Sequence, residues 1–438
     1  MKRRMEAAES VPVGHAWAGM HVGFDLLTEG ADQYVGWWNA ERRLAVAHRT
    51  LGVSGAEHSA WTHQVLDETL GWDSHNHISL GLDRGGHLHV SGNMHNDPMV
   101  YFRTQVPGDV TTLTRHDHLV DSATEQSVTY PEFLTLQDGR LAFSHRDGGS
   151  GDGVTYVDVY DEPSRSWRRL VDAPLFDGSA LDGEGPWSAY FQGPELGPDG
   201  AFHLLWMWRE TPDAATNSLL SYARSEDLLT WTDAHGRPLE APFTYGAGHV
   251  VDPVPARAGL LNGNARLGFD AEGQVHVTFH KYDDDGFSQI WVARPARAES
   301  AGDSTGPWEV RQLTDWQRRW DFGGRGTLIF EVQLLGSRVQ PGGRVRADLR
   351  VFGEQRSIMM DRDLRPLAEI PAPPWAGGLA EVRGDFPGLQ VNLQRGRGKE
   401  AVHGDHVLRW ESLPENRDLP YEEYPQSSRL DVVRLPKA

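Results

Sequence analysis

A chain of 438 residues has room for one large domain or two to three ordinary ones, and its formal charge of −20 argues against nucleic acid or an anionic membrane face as a partner. The complete lack of cysteine excludes disulfides, thiol nucleophiles and thiolate metal sites, and leaves the redox compartment open. No run approaches the ~20 apolar residues of a membrane span. The opening stretch carries Glu6 and Glu9 and no apolar core, so no signal peptide is expected. As written the chain reads as cytoplasmic, or as secreted if a leader was trimmed from it.

In chain order, residues 1–18 read as an N-terminal extension and residues 19–438 as a single β-rich domain. Residues 19–55 look like a first group of strands, and 56–66 is the best of a few short helix candidates. Four stretches then repeat one pattern: His75 to His95, Tyr130 to Arg146, Tyr190 to Arg209, and Asn262 to Lys281. In each, an apolar run enters a turn (Arg84-Gly85-Gly86, Gln137-Asp138-Gly139, Pro198-Asp199-Gly200, Ala271-Glu272-Gly273) and a second apolar run leaves it. Such runs broken by Asp-Gly or Gly-Gly are β-hairpins. The turn glycines Gly86, Gly139, Gly200 and Gly273 follow one another at 53, 61 and 73 residues. A repeat of about 40–50 residues marks a β-propeller, and the wider spacing here implies loops inserted between blades. Residues 297–305 are small and polar and read as a surface loop; 322–370 and 389–435 supply the last two groups of strands. The expectation is an all-β, seven-bladed β-propeller forming a single domain.

A hairpin brings the start of its first strand beside the end of its second. His75 and His77 are therefore expected beside His95, Tyr130 beside His145 and Arg146, Tyr190 beside Arg209, and Asn262 and Asn264 beside His280 and Lys281. Placed side by side around an axis, these groups face one rim. His75 and His77 stand two apart, which on a strand puts both on one face. The residues around His95, Gly92-Asn93-Met94-His95-Asn96-Asp97, add a third imidazole. Singly, such histidines cap loops by bonding backbone, and three together can hold zinc. Beside a tyrosine and an arginine they point to catalysis. Arg146 offers a planar fork that suits a carboxylate, and a guanidinium beside a phenol favours the phenolate. Arg146 paired with Asp147 or Glu132 is the structural alternative. The glycines after Arg146 lack the lysine and spacing of a phosphate loop. Trp206 and Trp208 share a strand face and read as packing. Asp283-Asp284-Asp285-Gly286 lacks the ligand series of a calcium loop.

Taken as a set, Trp72-Asp73-Ser74-His75-Asn76-His77, Val90-Ser91-Gly92-Asn93-Met94-His95, Thr129-Tyr130-Pro131, Arg146-Asp147-Gly148 and Asn262-Gly263-Asn264 resemble the BNR-repeat seven-bladed propellers that include the ulvan lyases and related polysaccharide lyases. The resemblance covers residues 19–330 and weakens in the tail. It implies β-elimination on a uronate-containing chain. Arg146 with His95 would bind the uronate carboxylate, His75 would take the C5 proton, and Tyr130 would protonate the departing O4 or share the base role. Imidazole titrates near neutral pH, which suits the base. His77, Asn93, His145, Tyr190, Arg209, Asn264, His280 and Lys281 would contact the sugar chain. Some relatives carry a structural zinc on His and Cys; with no Cys, and Ala214, Ala215 and Ser218 in the loop after Arg209, no metal or other cofactor is expected. The expected partner is an anionic polysaccharide bound by a monomer.

Two rival readings stay open at this stage. A propeller glycoside hydrolase needs two carboxyl groups flanking the bond, for which Glu132 and Asp147 are candidates. Its sialidase form would use Arg146, Arg209 and Arg325, and Ser225 to Trp231 loosely resembles the Asp-box turn; a group acting on terminal rhamnosyl-glucuronate through one His is closer. A propeller that only binds carbohydrate is the third reading.

Overall fold

The computed structural model describes residues 9–52, 58–150, 153–178, 187–296, 308–372, 379–398 and 406–435. All four hairpins form. Ile78–Leu82 pairs with Leu88–Gly92 from Ile78↔Gly92 to Leu82↔Leu88, and the other three close the same way at Thr135↔Leu141, Leu196↔Phe202 and Phe269↔Val275. The turn glycines Gly86, Gly139, Gly200 and Gly273 all take φ between +76° and +82°. A side chain there would be strained, which is why each turn ends on glycine.

Among the described residues the strands make seven antiparallel sheets. Sheet 1 holds Asp25–Glu29, Asp32–Trp38, Arg43–Thr50 and Thr62–Thr69 in sequence order. Sheet 2 holds Ile78–Leu82, Leu88–Gly92, Tyr101–Thr104 and, at its edge, Leu113–His116. In sheet 3 the short strand His95–Asp97 lies beside Val128–Thr135, followed by Leu141–Asp147, Val154–Asp161 and Ser166–Arg169. Sheet 4 is built on Ser188–Leu196, Phe202–Arg209 and Asn217–Ser225, sheet 5 on Ala265–Phe269 through Trp308–Gln312, and sheet 6 on Val332–Gln340 through Pro366–Pro371. Sheet 7 joins Gln390–Arg395, His406–Ser412 and Ser427–Arg434 to Glu9–Trp17.

Two local expectations change. Glu9–Trp17, within the segment read as an N-terminal extension, is a strand paired from Glu9↔Arg434 to Trp17↔Ser427. Val13, Ala16 and Trp17 are buried by that pairing. The helix expected over 56–66 is absent from its described part, where Thr62–Thr69 pairs with Arg43–Thr50 through Ala45↔Val65. Only Leu66 of that strand is buried, so its polar pattern carried little periodicity of either kind, and the open edge of sheet 1 decided the conformation. The polar loop at 297–305 lies outside the described residues.

The stretch read as one domain packs as two compact units, Met1–Gly148 with Val157–Leu170 and Pro374–Ala438, and Gly149–Tyr156 with Val171–Pro373. The first has a core that includes Trp17, Trp38, Phe133, Phe143 and Trp410, each at most 2% exposed. The second has one around Val332, Leu334, Val345 and Leu349, all fully buried. Trp206 and Trp208 are fully buried, as packing residues should be.

Candidate active site

Asp73 organises the first unit's site. It lies in the turn before Ile78–Leu82, where its Oδ1 accepts the His75 backbone N–H at 2.9 Å and the His75 Nδ1 at 2.7 Å. Its Oδ2 takes His95 Nδ1 at 2.5 Å. One carboxylate thus anchors two imidazoles, whose rings stack with centroids 4.0 Å apart and 27° between planes. Both Nε2 atoms lie on the ring edges away from Asp73, and the His75 and His95 side chains keep 21% and 25% exposure, so a ligand can reach them. The turn is pinned from behind: Ser74 N bonds Asp418 Oδ1 at 3.3 Å, and Trp72 packs edge-on against Trp17 at 5.0 Å and Tyr424 at 4.9 Å. Burial opposes ionisation of Asp73, but the hydrogen bonds from His75 and His95 and their charge outweigh it and hold the carboxyl well below the usual carboxylate range.

Tyr130 enters the same site from sheet 3. Val128–Thr135 is bulged between Thr129 and Glu132, and Tyr130 takes φ +59°, a conformation a bulky residue adopts only under constraint. The bulge turns the phenol towards the imidazoles, with its ring centroid 6.1 Å from that of His75. Backbone strain at a reactive side chain is a feature of functional sites. Two side chains hold the bulge. His77 places Nδ1 3.0 Å from the His75 carbonyl and Nε2 3.1 Å from the Pro131 carbonyl, tying the two segments together. Arg146 lies with its Cζ 5.0 Å over the Tyr130 ring.

Arg146 is placed differently from the expectation. It is 2% exposed, and its guanidinium donates to Gly148 O at 3.2 Å, Thr129 Oγ1 at 3.2 Å and Asn96 Oδ1 at 3.3 Å. It backs the phenol rather than presenting an open fork to solvent, because the His95–Asp97 strand brings Asn96 onto it. His75 and His77 likewise do not share a strand face: residues 74 and 75 form a turn and the strand starts at Ile78. The pairing partner of His75 is His95.

The other expected contacts separate into placed and buried groups. Asn93, at φ +68°, donates to Glu68 Oε2 at 2.8 Å and to the Thr69 carbonyl, fixing the loop that leads to His95. His145 is fully buried with its Nδ1 3.5 Å from Asp158, so it has no face for a sugar. Burial pushes its pKa down to about 3, and burial raises that of Asp158 to about 7. In the second unit Tyr190 and Arg209 meet as expected, with the guanidinium 4.0 Å over the ring. Tyr190 Oη bonds Ser150 Oγ at 2.6 Å, while Arg209 donates to Asn217 Oδ1 at 3.1 Å and to Asn262 Oδ1. Asn264 and His280 are structural. Asn264 is fully buried and bridges sheets 5 and 6 through Val332 O at 3.0 Å and Leu334 N at 2.8 Å. His280 is fully buried on the Gly259 carbonyl at 2.6 Å, its pKa pushed down by burial to about 4. Lys281 forms an ion pair with Asp252 at 2.6 Å and lies 4.2 Å over Trp291. Strand alternation explains the split, since half the residues at any hairpin end must face the core.

Asp73 is the participant that sequence reading left without a role. The signal was present: an Asp two residues before a His is placed to close a turn on that residue's N–H. Asn96 and Thr129, which hold Arg146, carried no comparable signal. Among the described residues Asp73, His75 and His95 also form the one group with metal-ligand spacing, their donor atoms all lying within 4.8 Å of one another. Their mutual hydrogen bonds already account for that closeness. The Asp-rich stretch is a turn in which Asp283 Oδ1 accepts Phe287 N at 2.8 Å, and the Ser225 to Trp231 segment is a turn closed on Asp227 by Leu229 N and Thr230 N, each at 2.8 Å.

A protein-family model described as a BNR repeat-containing family member matches residues 32–316. The short isoform of ulvan lyase from Alteromonas sp. (strain LOR) is 30% identical over 89 residues, which are 20% of this chain. The matched stretch spans only 17% of that relative's length. The crystal structure of polysaccharide lyase Uly1 superposes with a TM-score of 0.64 at 13% identity, covering 98% of this chain and 99% of its own. A PL25 ulvan lyase solved with -[GlcA(1-4)Rha3S]- bound gives 0.62 at 10% identity over 97% of this chain and 96% of its own. At these identities the likeness establishes the fold, and the seven sheets are the blades of a seven-bladed β-propeller.

Proposed function

Because the chain belongs to the BNR repeat-containing family, we propose that it is a polysaccharide lyase cleaving a uronate-containing glycan of the rhamnose–glucuronate kind by β-elimination. The observation that carries the reading is the pair of Asp73-anchored imidazoles beside a strained, cation-backed phenol. A base, an acid and a positive charge within one small site are what elimination next to a carboxylate requires. The ulvan lyase names of similar proteins support the same class.

In this mechanism His75 Nε2 takes the proton from C5 of the uronate. Asp73 fixes the tautomer by accepting from Nδ1 and stabilises the imidazolium as it forms. His95, oriented by the other oxygen of Asp73, donates to the uronate carboxylate, where the electron pair from the C5–H bond is delocalised. The C4=C5 double bond then forms as the C4–O4 bond breaks, and Tyr130 gives its proton to the departing O4. Arg146 contributes as a fixed positive charge behind the phenol, easing the negative charge left on its oxygen in a site of low dielectric. Incubation with ulvan and with other glucuronate-bearing glycans tests the class. An unsaturated product absorbing in the ultraviolet supports it; new reducing ends without that absorbance would mean hydrolysis, and binding without turnover a carbohydrate-binding propeller.

A further inference from the structure

A polar cavity of about 420 Å³ opens in the first unit between the edge strands of two sheets. Leu113–His116 is the edge of sheet 2, three strands from Ile78–Leu82, and Ser166–Arg169 is the edge of sheet 3. Arg103, Arg115 and Arg165 line the cavity with His116 and His118, against the single carboxylate of Asp117. Asp83 and Glu68 lie against two of these guanidiniums, so what the cavity offers an anion is a set of hydrogen-bond donors rather than an excess of charge.

The cations are only partly neutralised. Arg103 is 6% exposed, its nearest carboxylate is Asp83 at 3.7 Å, and that carboxylate is already shared with His89 at 3.2 Å. Among the described residues its buried Nε has no hydrogen-bond partner, and neither has the buried Nε2 of His116. A buried donor left unpaired costs about 1–3 kcal/mol, so such groups mark a place where a partner is missing. Arg115 pairs with Glu68, and Arg165 is exposed. The aromatic walls offer no stacking face. Trp167 is 7% and Tyr101 3% exposed, and their polar atoms are joined to each other at 3.1 Å and to His89 at 2.8 Å. The free chemistry is guanidinium and imidazole.

We infer that this cavity is a binding site for a sulfate or phosphate group carried on a sugar-sized molecule, separate from the Asp73 cluster. Guanidinium forks match tetrahedral oxyanions. The volume exceeds what a lone anion needs and falls within the usual range for small-molecule sites, roughly 300–1,000 Å³. The site does not depend on the lyase reading, and binding alone tests it. Isothermal titration would use glucose 6-sulfate, glucose 6-phosphate, sodium sulfate and sodium phosphate, with glucose and sodium chloride at matched ionic strength as blanks. The expected result is saturable binding of the sugar esters, weakened at least tenfold in Arg165→Ala and in His118→Ala, while His75→Ala leaves it unchanged. Arg165 and His118 are exposed, so these variants keep the fold even if a change at Arg103 does not. Saturable, variant-sensitive binding of the free anions alone would assign the same chemistry to an inorganic source. Heats no larger than those of the blanks, or equal affinities in wild type and both variants, would overturn the site.

Discussion

Replacing Asp73 with Asn keeps the shape of the residue and removes its charge. In the native site one carboxylate accepts from two imidazole Nδ1 atoms, at 2.7 Å and 2.5 Å. An amide cannot do both, since its NH2 must face one of the two rings, and that ring loses its acceptor. The larger loss is electrostatic. With about 4 Å between charge centres and an effective dielectric of about 20, a carboxylate stabilises a newly formed imidazolium by about 4 kcal/mol. That energy corresponds to about 10³ in rate. Because part of the attraction is already present in the ground state, kcat of Asp73→Asn is expected to fall between about 10² and 10³ with KM little changed. The fold should survive, because the amide oxygen still accepts the His75 N–H that closes the turn. The assay is the initial rate of ultraviolet absorbance on ulvan, with circular dichroism checking the fold. A folded variant with kcat within about threefold of wild type, less than 1 kcal/mol of barrier, would refute the role given to Asp73.

Tyr130→Phe should lower kcat by about 10²–10⁴ in the same assay while circular dichroism shows the fold retained, because the ring still packs against Arg146. Arg146→Lys should lower both kcat and thermal stability, since a lysine cannot reproduce the bonds to Asn96, Thr129 and Gly148, worth about 1.5–3 kcal/mol each; calorimetry and kinetics read the two losses separately. Asn264→Ala should destabilise the chain in urea by about 1–3 kcal/mol for each of the two backbone groups left unpaired, with KM unchanged. Burial holds the pKa of both His276 and His280 down to about 4, below the 6.5 of an unfolded chain. The unfolded state therefore binds protons first as pH falls. The stability they confer is complete above pH 6.5 and is lost towards pH 4, about 2 kcal/mol each by pH 5. Unfolding free energies of His280→Gln should accordingly vary less with pH across that window than those of wild type.

Much of this arrangement was legible in the chain itself. The hairpins follow from apolar runs and turn glycines, signals that are local and need no knowledge of neighbours. The meeting of His75 with His95 and of Tyr130 with Arg146 follows from hairpin closure. Which way each end residue points does not. His145 and Arg146 are adjacent, yet one turns into the core towards Asp158 and the other lies behind Tyr130. Tyr130 itself reaches the imidazoles through a bulge that no alternation pattern announces. Asn264 resembled a ligand residue because amides serve both purposes, and only the position of sheet 6 reveals that it joins two strands. Glu9–Trp17 was obscure for a similar reason: its partner, Ser427–Arg434, lies at the far end of the chain.

In the proposed elimination His75 and Tyr130 remove and deliver protons without adding water across the bond. Mass spectrometry of the products from a defined glucuronate–rhamnose oligosaccharide, digested in water enriched in the heavy oxygen isotope, tests that most directly. Elimination gives two fragments whose masses sum to that of the substrate, no labelled water having been added. Fragments that together exceed the substrate by one labelled water would contradict it.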